Sequence, residues 1–141
     1  MWLNTTYSQI FKFWPGGIID GLLFRPGLVD STPERELLKK MFDLSGGHIQ
    51  REVIIGASNA DLNKFEAFHS EINDTSIVEI ALASSSIPGF FPPTILDNIN
   101  YVDGGIMYNV NYATPIQLCK NKGYSDDKII VDIVMTTPFN I

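Results

Sequence analysis

The chain has 141 residues, of which 45% are hydrophobic and 18% charged, and its net charge is −6. This length suits one domain with a core and is short for two. The composition is that of a globular protein rather than a disordered one. The ten basic residues are scattered along the chain without forming a stripe, so we expect no nucleic-acid partner.

Cysteine content and hydropathy bear on the compartment. Cys119 is the only cysteine in the sequence, which excludes an internal disulfide and favours a reducing, intracellular compartment. No apolar run approaches the ~18 residues of a membrane-spanning helix, and the N-terminus lacks the pattern of a signal peptide. We therefore expect a cytoplasmic or peripherally membrane-associated protein. Since no metal-ligand set stands out, we expect no metal and no cofactor.

The N-terminal segment is rich in aromatic side chains, namely Trp2, Tyr7, Phe11, Phe13 and Trp14. Trp and Tyr favour membrane–water interfaces, so lipid contact is one interpretation. The other is that these rings pack under a neighbouring element. The lack of a clear helical period in the segment favours packing.

Taken in chain order, the predicted elements alternate between helices and strands. The opening is loop-rich, with Pro and Gly at 15–17 and 26–27. A first helix is capped by Ser31 or Thr32 and ended by the glycines at 46–47. A second helix is capped by Asp74 or Thr75 and ended by Pro88, and a third is capped by Thr114. The predicted strands are 52–58, 64–70, 94–98, 99–103 and a buried strand at 128–137.

This alternation predicts an α/β fold with a mixed, mostly parallel sheet. The chain opens without a strand–helix unit and stops just after the strand at 128–137. We therefore expect residues 1–141 to form a single incomplete domain, truncated at both ends. Such a fragment would leave a flat hydrophobic sheet edge and be poorly soluble or loosely packed.

Asp103 is the candidate functional residue, and the residues around it allow two interpretations. Asp-Gly is a favoured centre of a type I′ hairpin turn, so Asp103 and Gly104 could simply shape a turn. Alternatively, the strand before Asp103 delivers a carboxylate at its carboxyl end, where open α/β sheets bind ligands. Gly104 and Gly105 would then allow a tight turn and a close approach of substrate.

The combination of motifs favours the second interpretation. A helix that ends in small residues is followed by Pro-Gly and an aromatic–Pro pair. A strand that ends in Asp-Gly-Gly comes next, and then an Asn. The matching positions are Ala83, Ser84, Ile87, Pro88, Gly89, Phe91, Pro93, Asp103, Gly104, Gly105 and Asn109. This pattern resembles the patatin-like phospholipase family. The resemblance covers most of the chain and is strongest over residues 81–111.

The resemblance implies a partial three-layer α/β/α sandwich and a serine lipid acyl hydrolase that uses a Ser–Asp dyad. The Asp of Asp-Gly-Gly is the family's base, which here is Asp103. Its partners would be a lipid substrate or a membrane surface, while protein partners are not predicted. Pro88, Phe90 and Phe91 form an aromatic loop that could line an acyl-chain site, with core packing as the alternative for Phe91.

The serine of the dyad is not apparent. No Gly-x-Ser-x-Gly occurs in the sequence, and the nearest match, "GASNA" around Ser58, lacks the final Gly and a following helical stripe. We therefore predict no nucleophile in this chain and place one upstream of Met1. The chain is then part of a lipid acyl hydrolase with only the Asp present. The alternative is a non-catalytic fragment or an α/β interaction or binding module.

Overall fold

The computed structural model describes residues 5–69 and 77–134. Helices and strands alternate along these residues: α1 Gly17–Phe24, α2 Thr32–Leu44, β1 Ile54–Asn59, β2 Lys64–His69, α3 Ile77–Ser85, β3 Thr94–Leu96, β4 Ile99–Asp103 and α4 Ala113–Asn121. Short 3-10 turns lie at Tyr7–Gln9, Gly104–Ile106 and Asp126–Lys128. The predicted α/β class is confirmed, as are the helices now called α2, α3 and α4 and the strands β1 to β4.

The four strands form one sheet in the order β2-β1-β4-β3, and every neighbouring pair is antiparallel. The prediction of a mostly parallel sheet is therefore wrong. For two of the three pairs the physical reason lies in the connections. Residues 60–63 join β1 to β2, and only Asp97 and Asn98 join β3 to β4. Parallel neighbours need a crossover of about a dozen residues or more, which neither connection can provide.

The turn between β3 and β4 has the geometry of a type I′ hairpin. Both of its residues have left-handed backbones, with φ of 49° at Asp97 and 64° at Asn98. Asp and Asn tolerate this conformation better than other residues with a Cβ. The turn sets the register, so that Leu96 pairs with Ile99 and Thr94 pairs with Tyr101.

The core lies between the sheet and α3. Ala57 of β1, Ala83 of α3 and Tyr101 of β4 are buried together. Phe68, Leu96 and Ile99 pack against them. Helix α3 contacts β1, β3 and β4, and α2 packs against α3. The buried apolar surface therefore holds α3 across the strands that end near Asp103.

A polar network links three strands of the sheet. The buried Tyr101 hydroxyl donates to Glu66 Oε2 at 2.6 Å, and Asn59 Nδ2 donates to Glu66 Oε1 at 3.1 Å. Burial raises the pKa of Tyr101 to about 12, and the adjacent Glu66 carboxylate adds to that rise. The same hydrogen bond lowers the pKa of Glu66. The network ties β2, β1 and β4 together with its polar groups satisfied.

Helix capping differs in detail from the prediction. Before α2, the Asp30 carboxylate accepts a hydrogen bond from the Thr32 N–H at 2.9 Å. The sequence had assigned this capping role to Ser31 or Thr32. Before α4, Asn111 Oδ1 accepts from the Thr114 N–H at 3.2 Å and from its hydroxyl at 2.8 Å. Thr114 is thus capped by Asn111 instead of being the cap. The predicted caps of α3, Asp74 and Thr75, lie outside the described residues.

Two expectations at the ends of the chain are wrong. The loop-rich opening contains α1, which was not predicted from the sequence because Pro15 and Gly16 precede it and Gly21 interrupts it. The predicted strand at 128–137 forms no strand over 128–134, where Ile130 is 88% exposed and Val134 92%. Its last three residues lie outside the described residues. A strand is stabilised by a paired neighbour, and no described strand pairs with this run.

The N-terminal aromatic residues pack to different extents. Phe11 packs edge-on against Phe90, with ring centroids 5.5 Å apart. The Trp14 indole N–H donates to the Gly27 carbonyl at 3.0 Å. Tyr7 and Phe13, by contrast, are exposed. Packing is therefore confirmed for Phe11 and Trp14, and Trp2 lies outside the described residues.

Candidate active site

Asp103 is the last residue of β4, and backbone contacts hold it on two sides. Its Cα is paired with that of Ala57 in β1. Its N–H donates to the Ser86 carbonyl at 2.9 Å, just beyond the end of α3. The end of the central strand and the end of the core helix therefore meet at this residue.

The Asp103 carboxylate begins the 3-10 turn Gly104–Ile106. Its Oδ1 accepts from the Gly105 N–H at 2.6 Å, and φ of Asp103 is −47°. Neither Gly104 nor Gly105 has a positive φ. The hairpin interpretation of Asp-Gly is therefore wrong, because a type I′ turn requires positive φ at both central residues. Asp103 Oδ2 makes no hydrogen bond to the described part of the chain and can accept one.

Both glycines lie close to neighbouring atoms, backbone for Gly104 and side-chain oxygens for Gly105. A Cβ on Gly104 would lie 2.7 Å from the carbonyl oxygen of Gly56, which is backbone and cannot move aside. A Cβ on Gly105 would lie 2.9 Å from Asp103 Oδ1 and 3.3 Å from Asn109 Oδ1. Gly104 thus seats the turn against β1, and Gly105 leaves space beside the carboxylate.

Asp103 opens on a cleft of about 290 Å³. Its walls come from β1, β2, the end of α3 and the segment after β4: Ile54, Gly56, Phe65, Ser84, Asp103, Gly104, Gly105, Tyr108, Asn109 and Asn111. Phe65 and Tyr108 supply aromatic surface, with ring centroids 5.6 Å apart. Partial burial raises the pKa of the Tyr108 phenol, and the nearby Tyr112 adds to the rise. The cleft therefore combines one carboxylate with neutral donors and apolar rings.

The three serines at the end of α3 have different environments. Ser85 donates to the carbonyls of Ala81 and Leu82, and Ser86 donates to Leu82 and contacts the Thr94 hydroxyl at 3.0 Å. Ser84 lines the cleft, and its hydroxyl makes no hydrogen bond to the described residues. Ser84 is therefore the serine that shares the cleft with Asp103.

Ser58 lies elsewhere. It is 3% exposed, and its hydroxyl has no hydrogen-bond partner among the described residues. Asp103 is paired with Ala57, so these two side chains share a face of the sheet. Ser58 follows Ala57 in β1 and points to the other face. Ser58 is not among the residues that line the cleft with Asp103, and its hydroxyl makes no hydrogen bond to Asp103.

The loop at Pro88–Phe91 lies outside the walls of this cleft. Its carbonyls at Gly89 and Phe90 accept from the N–H groups of Leu28 and Val29, both at 3.1 Å. Phe91 is buried at 6% exposure, and its ring meets that of Phe90 edge-on at 4.9 Å. The structure thus brings Asp103, Gly104 and Gly105 into one cleft and leaves Pro88, Phe90 and Phe91 outside its walls.

Several cleft residues were not predicted from the sequence. Phe65 and Ile54 reach the cleft through strand pairing, which no local motif encodes. Asn111 could have been found from its position just before a helix start, since Asn is a favoured N-cap whose side chain accepts from the N–H two or three residues later. Its Oδ1 is occupied by Thr114, so its amide N–H groups remain available as donors on the cleft wall.

Residues 5–69 and 77–134 contain no helix long and apolar enough to cross a membrane. The same residues contain no group of three or more His, Cys, Asp or Glu side chains arranged to hold a metal ion.

Comparisons with known proteins identify one family. No match was found among curated proteins. The family model for patatin-like phospholipase matches residues 1–116, a range that includes the core, the cleft and Asp103. Because this match spans most of the chain, the chain belongs to the patatin-like phospholipase family.

Proposed function

We propose that this chain carries the base of a serine lipid acyl hydrolase, and that Asp103 is that base. One observation supports the proposal above the others. The Asp103 carboxylate, at the end of the central strand β4, opens on a cleft, and its Oδ1 already accepts a hydrogen bond from the Gly105 N–H. That bond fixes the orientation of the carboxylate. The remaining oxygen is free to accept a proton.

The proposed reaction is ester hydrolysis through an acyl-enzyme. Asp103 takes the proton from a serine hydroxyl as the serine oxygen bonds to the ester carbonyl carbon. The carbon–oxygen bond to the leaving alcohol then breaks, and that oxygen receives the proton. Water repeats the sequence on the acyl-serine and releases a fatty acid. A carboxylate is a weak base at neutral pH, so orientation and oxyanion donors must supply much of the rate.

The nucleophile of this proposal is a Gly-x-Ser-x-Gly serine encoded outside the present sequence. Ser58 is buried and does not line the cleft. Ser84 shares the cleft but lies near the end of a helix instead of at its start, unlike an elbow serine. The Asp-Gly-Gly at 103–105 is accordingly proposed as the family's motif.

A matched pair of substitutions tests this role in a longer reading frame that contains Gly-x-Ser-x-Gly. Asp103→Asn keeps the shape and removes the proton acceptor, so turnover of a lipid ester should fall by about two orders of magnitude or more. Asp97→Asn makes the same chemical change in the β3–β4 turn and should leave turnover unchanged. Equal rates for both variants would exclude Asp103 as the base.

The second candidate function is a non-catalytic binding module, favoured by the absence of Gly-x-Ser-x-Gly from the chain. Both proposals predict that this chain alone will not hydrolyse a short-chain nitrophenyl ester. Turnover that disappears in Ser84→Ala or Ser58→Ala would contradict both and identify the nucleophile. Stop codons immediately upstream of Met1 would favour the binding module over the hydrolase.

A further inference from the structure

Helix α1 carries its apolar side chains on the outside. Ile18, Ile19, Leu22, Leu23 and Phe24, here called the α1 surface, are each between 54% and 76% exposed. Gly21 is the buried residue of the helix. A Cβ on Gly21 would lie 2.2 Å from the Leu28 carbonyl oxygen. The helix is therefore seated through its glycine side, which leaves the larger side chains facing solvent.

This arrangement is the reverse of an ordinary surface helix, whose apolar stripe faces the core. Contiguous exposed apolar patches of this kind typically mark interaction sites. Aromatic side chains adjoin the helix: Phe13 is 52% exposed, and Trp14 is held by its hydrogen bond to Gly27. Aromatic rings beside an apolar face are typical of segments that lie at a lipid–water interface.

The charges around the α1 surface indicate which kind of interface it fits. Arg25 Nε lies 3.2 Å from Asp20 Oδ2, and Lys12 Nζ lies 3.3 Å from Asp30 Oδ2. These two cations beside the surface are thus already paired within the chain, whose net charge is −6. Attraction to anionic headgroups relies on basic residues, and these two already have carboxylate partners within the chain. Binding to an uncharged lipid interface does not require basic residues.

The helix is also connected to the candidate active site. The chain leaving α1 runs through Gly27 to Val29 and hydrogen bonds to the carbonyls of Gly89 and Phe90. A Cβ on Gly27 would lie 2.4 Å from the Pro92 nitrogen, so the two segments are in close backbone contact. The same loop connects α3 to the hairpin that ends at Asp103. Residues 27–29 therefore join α1 to the loop that leads to β3 and β4.

We propose that the α1 surface docks the protein on an electrically neutral lipid–water interface, with the exposed apolar side chains inserted among the acyl chains. The choice of lipid as the occupant rests on the proposed lipid acyl hydrolase function. The docking itself requires no turnover. Burial of apolar area supplies the attraction, so binding should be insensitive to salt.

Flotation of the chain with phosphatidylcholine vesicles tests the proposal, because aggregated protein sinks while vesicle-bound protein floats. Wild type should float with these vesicles equally at low and high salt. The double substitution Leu22→Glu, Leu23→Glu should reduce the partition coefficient at least tenfold. The milder Leu22→Ala, Leu23→Ala should reduce it by a smaller factor, and circular dichroism should show that both variants are folded.

Two control variants show whether flotation depends on the α1 surface itself. Leu62→Glu alters a residue of similar exposure in the β1–β2 loop and should leave flotation unchanged. Asp103→Asn should also float like wild type, because docking does not depend on the Asp103 carboxylate. Flotation therefore tests docking separately from the hydrolase proposal. Flotation that needs anionic lipid and is lost at high salt would overturn the proposal. The proposal would also be overturned if the chain never floats and instead forms a dimer that the Leu22→Glu, Leu23→Glu substitutions dissociate.

Discussion

The two ends of β4 use closely similar residues for different purposes. At its start, Asp97 and Asn98 form a hairpin turn in which both backbones are left-handed. At its end, Asp103 is followed by Gly104, yet neither backbone is left-handed and the Asp carboxylate accepts from Gly105. The first pair reverses the chain. The second places a carboxylate at a cleft.

The difference shows that Asp-Gly is informative only with its surroundings. A turn glycine is needed for its φ, whereas Gly104 is needed because a Cβ would meet the Gly56 backbone. These two requirements respond differently to mutation. Substitutions along β4 can therefore separate the turn end from the cleft end.

The largest effect is expected for Gly104→Ala. The added methyl group would lie 2.7 Å from the Gly56 oxygen and force β1 and the 3-10 turn apart. We expect a loss of about 3 kcal/mol in unfolding free energy, as for other overpacked sites, measured by urea denaturation. Gly105→Ala is the matched control, since its methyl group meets side-chain oxygens that can move, and it should cost about 1 kcal/mol or less. Equal losses would contradict the close-approach argument.

Tyr101→Phe should have an intermediate effect in the middle of β4. It removes the hydrogen bond to Glu66 from a buried network, and we expect a loss of about 1–2 kcal/mol. Because the folded pKa of Tyr101 is raised to about 12, its contribution is complete below the unfolded pKa of about 10. It is lost as pH rises through about 12. A wild-type stability curve with no such decline at high pH would contradict this account.

The smallest effects are expected at the turn end. Asn98→Ala places a methyl-bearing residue at φ of 64° and should cost about 1 kcal/mol. Asn98→Gly suits a type I′ turn and should change stability by less than about 0.5 kcal/mol. Thermal melts of the two variants measure the difference. If alanine is tolerated as well as glycine, the turn does not have the left-handed geometry described.

Much of the secondary structure could be predicted because its signals are local. Pro33 and the apolar stripe after it marked α2, Pro88 marked the end of α3, and Gly123, with φ of 88°, marked the end of α4. The direction of the strands was mispredicted because the alternation of helices and strands was taken to indicate a parallel sheet. The short connections at 60–63 and 97–98 carried the correct signal, because they can join only antiparallel neighbours.

The candidate site was predictable only in part. Asp103, Gly104 and Gly105 belong to a contiguous motif and could be found from sequence. Phe65 and Ser84 reach the cleft through strand pairing and helix packing, which depend on residues distant in sequence. Helix α1 was missed because Pro15 and Gly16 precede it and Gly21 interrupts it, and because its sequence is apolar almost throughout and shows no clear amphipathic period.

The rate at which a fluorophosphonate labels the nucleophilic serine tests the central claim most directly, because it isolates activation of the serine from later steps. The measurement requires the longer reading frame with Gly-x-Ser-x-Gly, as wild type, Asp103→Asn and Asp97→Asn. If Asp103 accepts the serine proton, Asp103→Asn should be labelled about 100-fold more slowly than the other two. Equal labelling rates in all three proteins would show that Asp103 does not activate the nucleophile.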